Sequence, residues 1–292
     1  MTLPDSLYIR VATPQDRSRL ANLIHFESNV HRHLDWRPPL DWLGHTPNLV
    51  AETDAQLLAA LFCPPDPPEV AWVRLFAASN QVDRREAWEA LWPVARDQLE
   101  EQAGCRIAAI PIQSWFRDLV AKSGFTHTHD IVTLTWEGGR QVPPGRRPPA
   151  AIRPMREDDL PVVSQVDNAA FGPLWRNSLA SLRIAFEQAA IATVAEDDDG
   201  IVGYQISTPT PVGGHLARLA VLPECQGQGI GYALVRDVLT RFQQRRAWRV
   251  TVNTQKDNLA SLRLYSRAGF QPSGETYPVY LYQPEPPARP QA

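Results

Sequence analysis

The chain has 292 residues, 43% of them hydrophobic and 21% charged, which is mass and composition for two ordinary globular domains. Its net charge of −3 argues against a nucleic-acid partner held by bulk electrostatics, and no apolar run is long enough to cross a bilayer, so no membrane partner is expected. Cys63, Cys105 and Cys225 are scattered, giving neither a disulfide framework nor a metal spacing. With no basic-then-apolar signal at Met1–Asp5, a cytoplasmic location follows.

Taken in order, Ile9-Arg10 opens a strand followed by an acidic helical segment. Trp72, Trp88, Trp92 and Trp115 recur along strands and helices and are expected in a core. His31-Arg32-His33 and His127-Thr128-His129 alternate in polar settings with no third ligand nearby, so no metal site is expected. Segment 141–149 is too proline-dense for a helix or a central strand and reads as a stiff linker. Beyond it the first half is repeated. Ile152-Arg153 matches Ile9-Arg10 at an offset of 143, Val194-Ala195-Glu196 matches Val50-Ala51-Glu52 at 144, Arg218-Leu219 matches Arg74-Leu75 at 144, and Gly269-Phe270 matches Gly124-Phe125 at 145. The offsets imply a tandem duplication of one fold, with domains at 1–142 and 150–292 and the linker at 143–149. The tail Pro284–Ala292 is expected to fray. Residues 1–142 carry a net charge of −5 and residues 143–292 one of +2, so the second half suits an anionic ligand better.

In that second half, Phe171-Gly172-Pro173-Leu174-Trp175 reads as a loop after a helix, and Glu196–Gly200 as a solvated hairpin turn. Leu219-Ala220-Val221 then forms a strand ended by Pro223. Gln226-Gly227-Gln228-Gly229-Ile230-Gly231 leads into a helical pattern from Tyr232 to Gln244. A glycine-rich turn at a helix N-terminus leaves amides unpaired and aimed one way, with the helix dipole behind them, which favours a phosphate or pyrophosphate. No Lys-Ser or Lys-Thr follows the glycines, and the sixth position from Gly227 is Tyr232, so neither a Walker loop nor a dinucleotide turn fits. Arg249–Val252 reads as the next strand, and Asn258 to Phe270 as a helix capped by Gly269.

Gln226, Gly229 and Gly231 after that strand, followed by Asn258, Ala260 or Ser261, Tyr265 and Gly269-Phe270, resemble the two signatures of the GCN5-related N-acetyltransferases (GNAT) over about residues 150 to 283. The resemblance implies an α/β (α+β) fold, two tandem domains each with a central mixed β-sheet flanked by helices. It also implies acetyl-CoA as co-substrate. Leu219, Ala220 and Val221 would splay from the next strand beside the pantetheine, with a backbone N–H near Val221 facing the thioester carbonyl. Gln226, Gly227, Gln228, Gly229, Ile230 and Gly231 would hold the pyrophosphate, and Asn258 would complete the cofactor site. Tyr265 falls at the family's general-acid position; a packed core aromatic is the other reading. His215, counted back from Val221 on one strand face through Leu219 and Ala217, falls at a general-base position. Arylalkylamine acetyltransferases are similar through His-x-x-x-Leu-Ala-Val, although their second histidine is Ala217 here; a half-exposed histidine after Gly213-Gly214 is the alternative.

Carried back through the offset, Gln226, Gly229 and Gly231 fall on Val82, Arg85 and Ala87, Asn258 on Gln113 and Tyr265 on Val120, so the first copy is expected to be degenerate. The function implied is direct transfer of an acetyl group to a primary amine of a small molecule or peptide. A non-catalytic CoA-binding sensor or interaction module is the alternative. Neither the acceptor nor the oligomeric state is specified by the sequence.

Overall fold

The computed structural model describes residues 7–54, 56–101, 105–139, 141–146 and 148–282. The expected tail at Pro284–Ala292 and the leader position Met1–Asp5 lie outside the described residues. The chain forms two compact units, residues 1–129 with 278–292 and residues 130–277. These are not the halves on either side of 143–149. Strand β8 (Phe125–Glu137) belongs to the first unit up to His129 and to the second from Asp130. The last strand, β14 (Gln271–Tyr282), belongs to the second through Tyr277 and to the first from Pro278.

In the first unit β1 (Tyr8–Val11), α1 (Arg17–Phe26) and β2 (Asn29–Arg32) precede the hairpin of β3 (Asn48–Glu52) and β4 (Leu57–Phe62). Next come β5 (Val70–Trp72), β6 (Leu75–Ala78), α2 (Arg84–Glu100), β7 (Arg106–Ala109) and α3 (Ser114–Ala121). One sheet runs β1-β3-β4-β6-β2, while β7 pairs with β5 in parallel and with Tyr280 and Leu281 of β14. β3 to β6 are buried throughout and made of Leu, Val, Ala, Phe and Trp apart from Asn48 and Glu52, as strands covered on both faces must be. Trp72, Trp88 and Trp92 are buried in the core as expected, and Trp115 packs at its margin. His31 is fully buried and stacks on Phe116, His33 stacks on Trp72, and no cluster of metal-ligating side chains occurs among the described residues.

The second unit follows the same plan. It comprises β9 (Ala151–Pro154), α4 (Leu160–Ala170), α5 (Leu179–Glu187), β10 (Ile191–Asp197), β11 (Gly200–Thr210), β12 (Gly213–Val221), α6 (Ile230–Gln244), β13 (Arg249–Gln255) and α7 (Leu259–Arg267). Within the unit the strands run β8-β13-β12-β11-β10-β9, antiparallel except for β12 and β13. The chain reverses between β10 and β11 at Asp197 to Gly200, as the acidic turn predicts. Segment 141–146 is packed rather than free. Val142 contacts the core, Tyr232 Oη donates to the Pro143 carbonyl at 2.7 Å, and Gly145 lies so close to the Tyr232 ring that a Cβ would meet it at 2.6 Å.

The duplication is visible in side chains. Arg10 joins Asp16 (2.7 Å) and Glu52 (2.5 Å), and Arg153 joins Asp159 and Glu196 (2.7 Å each). In each triad the arginine holds the aspartate carboxyl below its ordinary range. A bulge falls between Ala51 and Glu52 in one unit and between Ala195 and Glu196 in the other.

Sheet register corrects the third landmark. Ala59 pairs with Ala51 and Gly203 with Ala195, so Ala59 and Gly203 correspond; their other partners, Ala78 and Val221, must then correspond too. Leu75 therefore matches Arg218, and the expected match of Arg74-Leu75 with Arg218-Leu219 is one residue out of register. The following loop differs in length as well. From Ala78 to the α2 N-cap, Asp83, is three residues shorter than from Val221 to the α6 N-cap, Gly229. Carrying a fixed offset onto Val82, Arg85 and Ala87 thus misplaces the loop; the residue in the place of Gly229 is Asp83.

Candidate active site

The sequence places six glycines from Gly203 to Gly231, and the two that shape the site are Gly227 and Gly229, at φ +75° and +91°. These are left-handed conformations that L side chains rarely adopt, and a Cβ at Gly227 would meet nothing within 4 Å, so backbone geometry rather than crowding demands glycine there. Gly229 is the N-cap of α6, whose first backbone bond runs from Ala233 N to Gly229 O at 3.0 Å. The amides of Gly229, Ile230, Gly231 and Tyr232 have no acceptor among the described residues, as a helix without a side-chain cap requires. Gln226 is exposed but turns back on the strand, its Nε2 donating to the Val221 carbonyl at 3.1 Å, so it braces the loop.

β12 supplies the other wall. It pairs with β13 only from Gly213 to Leu216; past Leu216 the two part, so Ala217 to Val221 keep β11 on one edge and have no strand on the other. Leu222 N donates to Val202 O on the β11 side, and antiparallel alternation therefore points the N–H and C=O of Val221 and Leu219 into the gap. The gap opens at Ala217, about 13 Å of strand from Val221 at 3.3 Å per residue. Together with the loop it forms a cleft of about 540 Å³. Its lining includes Phe171, Leu219, Ala220, Val221, Gln226, Gly227, Gly229, Ile230, Gly231, Asn258, Arg263 and Arg267 and, among the described residues, no carboxylate. Arg267 lies over the Tyr232 ring at 4.6 Å. Unpaired amides, left-handed glycines and guanidinium groups with no acidic lining residue fit a phosphate-bearing ligand with an extended arm.

Asn258 is the N-cap of α7, its Oδ1 accepting from Ser261 N at 3.0 Å, and its Nδ2 reaches Gln255 Oε1 only at 3.5 Å. Tyr265 does not line the cleft. It is 5% exposed, packs edge-on against Phe270 at 5.6 Å, and its hydroxyl has no hydrogen-bond partner among the described residues. Burial pushes its phenol well above the ordinary range, the Arg218 guanidinium pulling the other way. A bulge between Arg218 and Leu216 corrects the face count for His215. Opposite residues share a face, and His215 pairs with Thr208 while Leu219 pairs with Gln205, so Ala217 puts His215 on the face opposite Leu219 and Val221. His215 Nδ1 is 2.8 Å from Thr251 Oγ1, and burial lowers the imidazole below its usual value, partly offset by hydrogen bonding with the Thr251 backbone.

On the same face lies a buried group that sequence reasoning missed. Arg218 grips Asp167 of α4 with Nε and Nη2 (2.7 and 2.9 Å), donates to the Trp175 carbonyl (2.6 Å), and stacks on the Phe171 ring at 3.5 Å. Asp167 is fully buried and also accepts from Tyr204 Oη and Asn177 N. Arg218 thereby pins the loop from Phe171 to Asn177, whose first residue walls the cleft. A lone arginine inside the apolar run of β12 was the available signal, since buried charges are nearly always paired.

The sequence profile described as the acetyltransferase (GNAT) family matches residues 156–270. An "uncharacterized N-acetyltransferase" of Methanocaldococcus jannaschii is 30% identical over 121 residues, 41% of this chain and 77% of that protein. "N-alpha-acetyltransferase 30" of Schizosaccharomyces pombe is 32% identical over 93 residues, 30% of this chain and 62% of that protein. Among solved structures, a tandem GNAT protein from the clavulanic acid biosynthesis pathway covers 96% of this chain and 100% of its own, with a TM-score of 0.63 and 15% identity. At that identity the likeness concerns the fold. No helix among the described residues is long and apolar enough to cross a membrane.

Proposed function

The chain belongs to the acetyltransferase (GNAT) family, and we propose that its second unit binds acetyl-CoA and transfers the acetyl group directly to a primary amine. The observation that carries this reading is the parting of β12 from β13 at Leu216, continuous with the uncapped α6 N-terminus at Gly229. An extended arm ending in phosphates meets main-chain donors along one wall and helix amides at the end. Bound acetyl-CoA supplies an activated thioester; the protein's residues supply the rest.

In this reading Gly229, Ile230 and Gly231 offer their N–H groups to the pyrophosphate, and Leu219 and Val221 offer theirs to the arm and the thioester carbonyl. Tyr265, kept protonated by burial, gives its proton to the leaving sulfur. His215 is held neutral by the same effect; with Nδ1 engaged by Thr251, Nε2 is left to take the amine proton, directly or through water. The acceptor class is a primary amine, and the name of the Schizosaccharomyces pombe relative adds peptide α-amines to the compounds worth testing. Three free cysteines fit a reducing compartment, in keeping with a cytoplasmic location.

A second reading, a CoA-binding sensor without turnover, is favoured by one observation: neither Tyr265 nor His215 lines the cleft. Free-thiol release from acetyl-CoA, measured across small amines and peptides with free α-amino groups, separates the two. Acceptor-dependent release supports transfer; tight CoA binding with no release for any amine supports the sensor.

A further inference from the structure

The first unit also contains a strand that bends away from its neighbour. β5 pairs with β7 in parallel, as β12 does with β13, and β6 then leaves β7 as Arg218–Val221 leave β13. In the second unit no strand among the described residues occupies the gap. In the first, β2 does: Asn29, Val30, His31 and Arg32 pair antiparallel with Ala78, Ala77, Phe76 and Leu75. His33 N donates to Arg74 O at 2.9 Å, so alternation makes His31 with Phe76, and Asn29 with Ala78, the hydrogen-bonded pairs. By sheet register Phe76 and Ala78 correspond to Leu219 and Val221, the residues whose main chain faces the open cleft.

Two further contacts complete the filling. Gln113, the α3 N-cap corresponding to Asn258, donates from Nε2 to the Val30 carbonyl at 3.4 Å. The N-terminus of α2 is closed as well, since the Asp83 carboxylate accepts from Arg85 N and Glu86 N at 2.8 and 3.2 Å, where α6 has a bare glycine. β2 follows α1 directly, as the loop from Phe171 follows α4. The two segments occupy the same place in the repeat and are folded oppositely. Asn29-Val30-His31-Arg32 can donate along a ladder, whereas Gly172-Pro173 cannot, because proline has no N–H. Arg218 moreover ties the second loop to α4, and its register counterpart is the apolar Leu75.

We propose that the first unit is a self-liganded copy: its own strand β2 occupies the arm slot and its own Asp83 carboxylate occupies the anion end, so it cannot take an acyl-CoA. This is independent of whether the second unit turns over. It makes β2 a main-chain mimic of the extended, amide-bearing ligand that the second cleft accommodates.

Hydrogen–deuterium exchange on the full chain, with and without CoA, tests it at four amides. Phe76 and Ala78 should exchange slowly in both states, with no change on adding CoA, while Leu219 and Val221 should slow only with CoA. Fast exchange at Phe76 and Ala78 without CoA, or protection gained there with CoA, overturns the proposal, as does calorimetry giving two equivalents of CoA per chain. Unchanged exchange at Leu219 and Val221 beside slow Phe76 and Ala78 refutes the reading of the second cleft and leaves this one standing. His31→Pro, which removes the N–H donated to the Phe76 carbonyl and so loosens the pairing that holds the Phe76 N–H on the His31 carbonyl, should speed exchange at Phe76 at least tenfold; unaltered exchange in the folded variant counts against the plug.

Discussion

Gly229 combines a backbone that rejects side chains with an N-cap that has no side-chain partner, so, if the α6 N-terminus holds the pyrophosphate as proposed, Gly229→Ala and Gly229→Glu should differ. Alanine adds only left-handed strain, about 1–2 kcal/mol, whereas glutamate also brings a carboxylate to the phosphate end. Gly229→Glu is expected to abolish CoA binding by calorimetry with a native circular dichroism spectrum; unchanged affinity in the folded variant would remove the cradle. Tyr265→Phe deletes the buried hydroxyl and keeps the packing on Phe270. With Tyr265 as acid, kcat should fall by about a hundred- to ten-thousand-fold with little change in CoA affinity; near-wild-type kcat where chemistry limits turnover would leave it a core aromatic. For His215 the sign follows from burial. Its pKa lies below the ordinary 6.5, so the neutral, proton-accepting form persists through pH 7 and is lost as pH falls through the lowered value. The acidic limb of kcat should therefore sit below pH 6.5 and vanish in His215→Gln; a limb that survives the substitution belongs to another group.

At the scale of elements, β12 and α4 are joined by an ion pair with no solvent access at Asp167 and a side-chain exposure of 12% at Arg218. Breaking one partner leaves a buried charge, so Arg218→Met should destabilise the protein by about 3–5 kcal/mol. The double substitution Asp167→Asn with Arg218→Met should recover much of that stability in urea titrations, because no charge is left stranded. It should not restore the loop, since Phe171 loses the guanidinium beneath its ring and Trp175 loses its donor. The double variant should accordingly stay folded but bind CoA more weakly by calorimetry, because Phe171 walls the cleft. A double variant less stable than Arg218→Met would show that the pair does not carry the burial cost, and one with unchanged CoA affinity would show that it does not hold the wall of the cleft.

At the scale of the molecule, each sequence repeat lends the end of its closing strand to the other compact unit. Residues 131–137 of β8 pair with β13 over its full length, and Trp136 lies fully buried in the second unit's core. A fragment beginning at residue 150 would lack both and expose Val250 and Val252 along a bare sheet edge. It should be aggregation-prone or unfolded by circular dichroism and sedimentation, and the full chain should be neither. A monomeric, cooperatively melting fragment 150–292 would show that β8 is dispensable.

What the sequence by itself determined is local. The glycine-rich turn before α6, the helix opened by Asn258 and the acidic turn at Asp197 each depend on a few neighbouring residues and are readable there, as is the duplication, although not the register of its Arg74-Leu75 landmark. Tertiary structure decided what depends on partners distant in the chain. Nothing in Asn29–Arg32 names β6 as its neighbour, and nothing in Arg218 names Asp167, fifty-one residues away. The counterpart of Arg218 is missed because the first copy is one residue longer from Ala59 to Ala78 than the second is from Gly203 to Val221, so a fixed offset slips. The face of His215 is missed for a different reason. Side chains alternate along a strand with period two, so a single extra residue, Ala217, reverses every assignment counted across it, and that residue is visible only once β11 is laid beside β12.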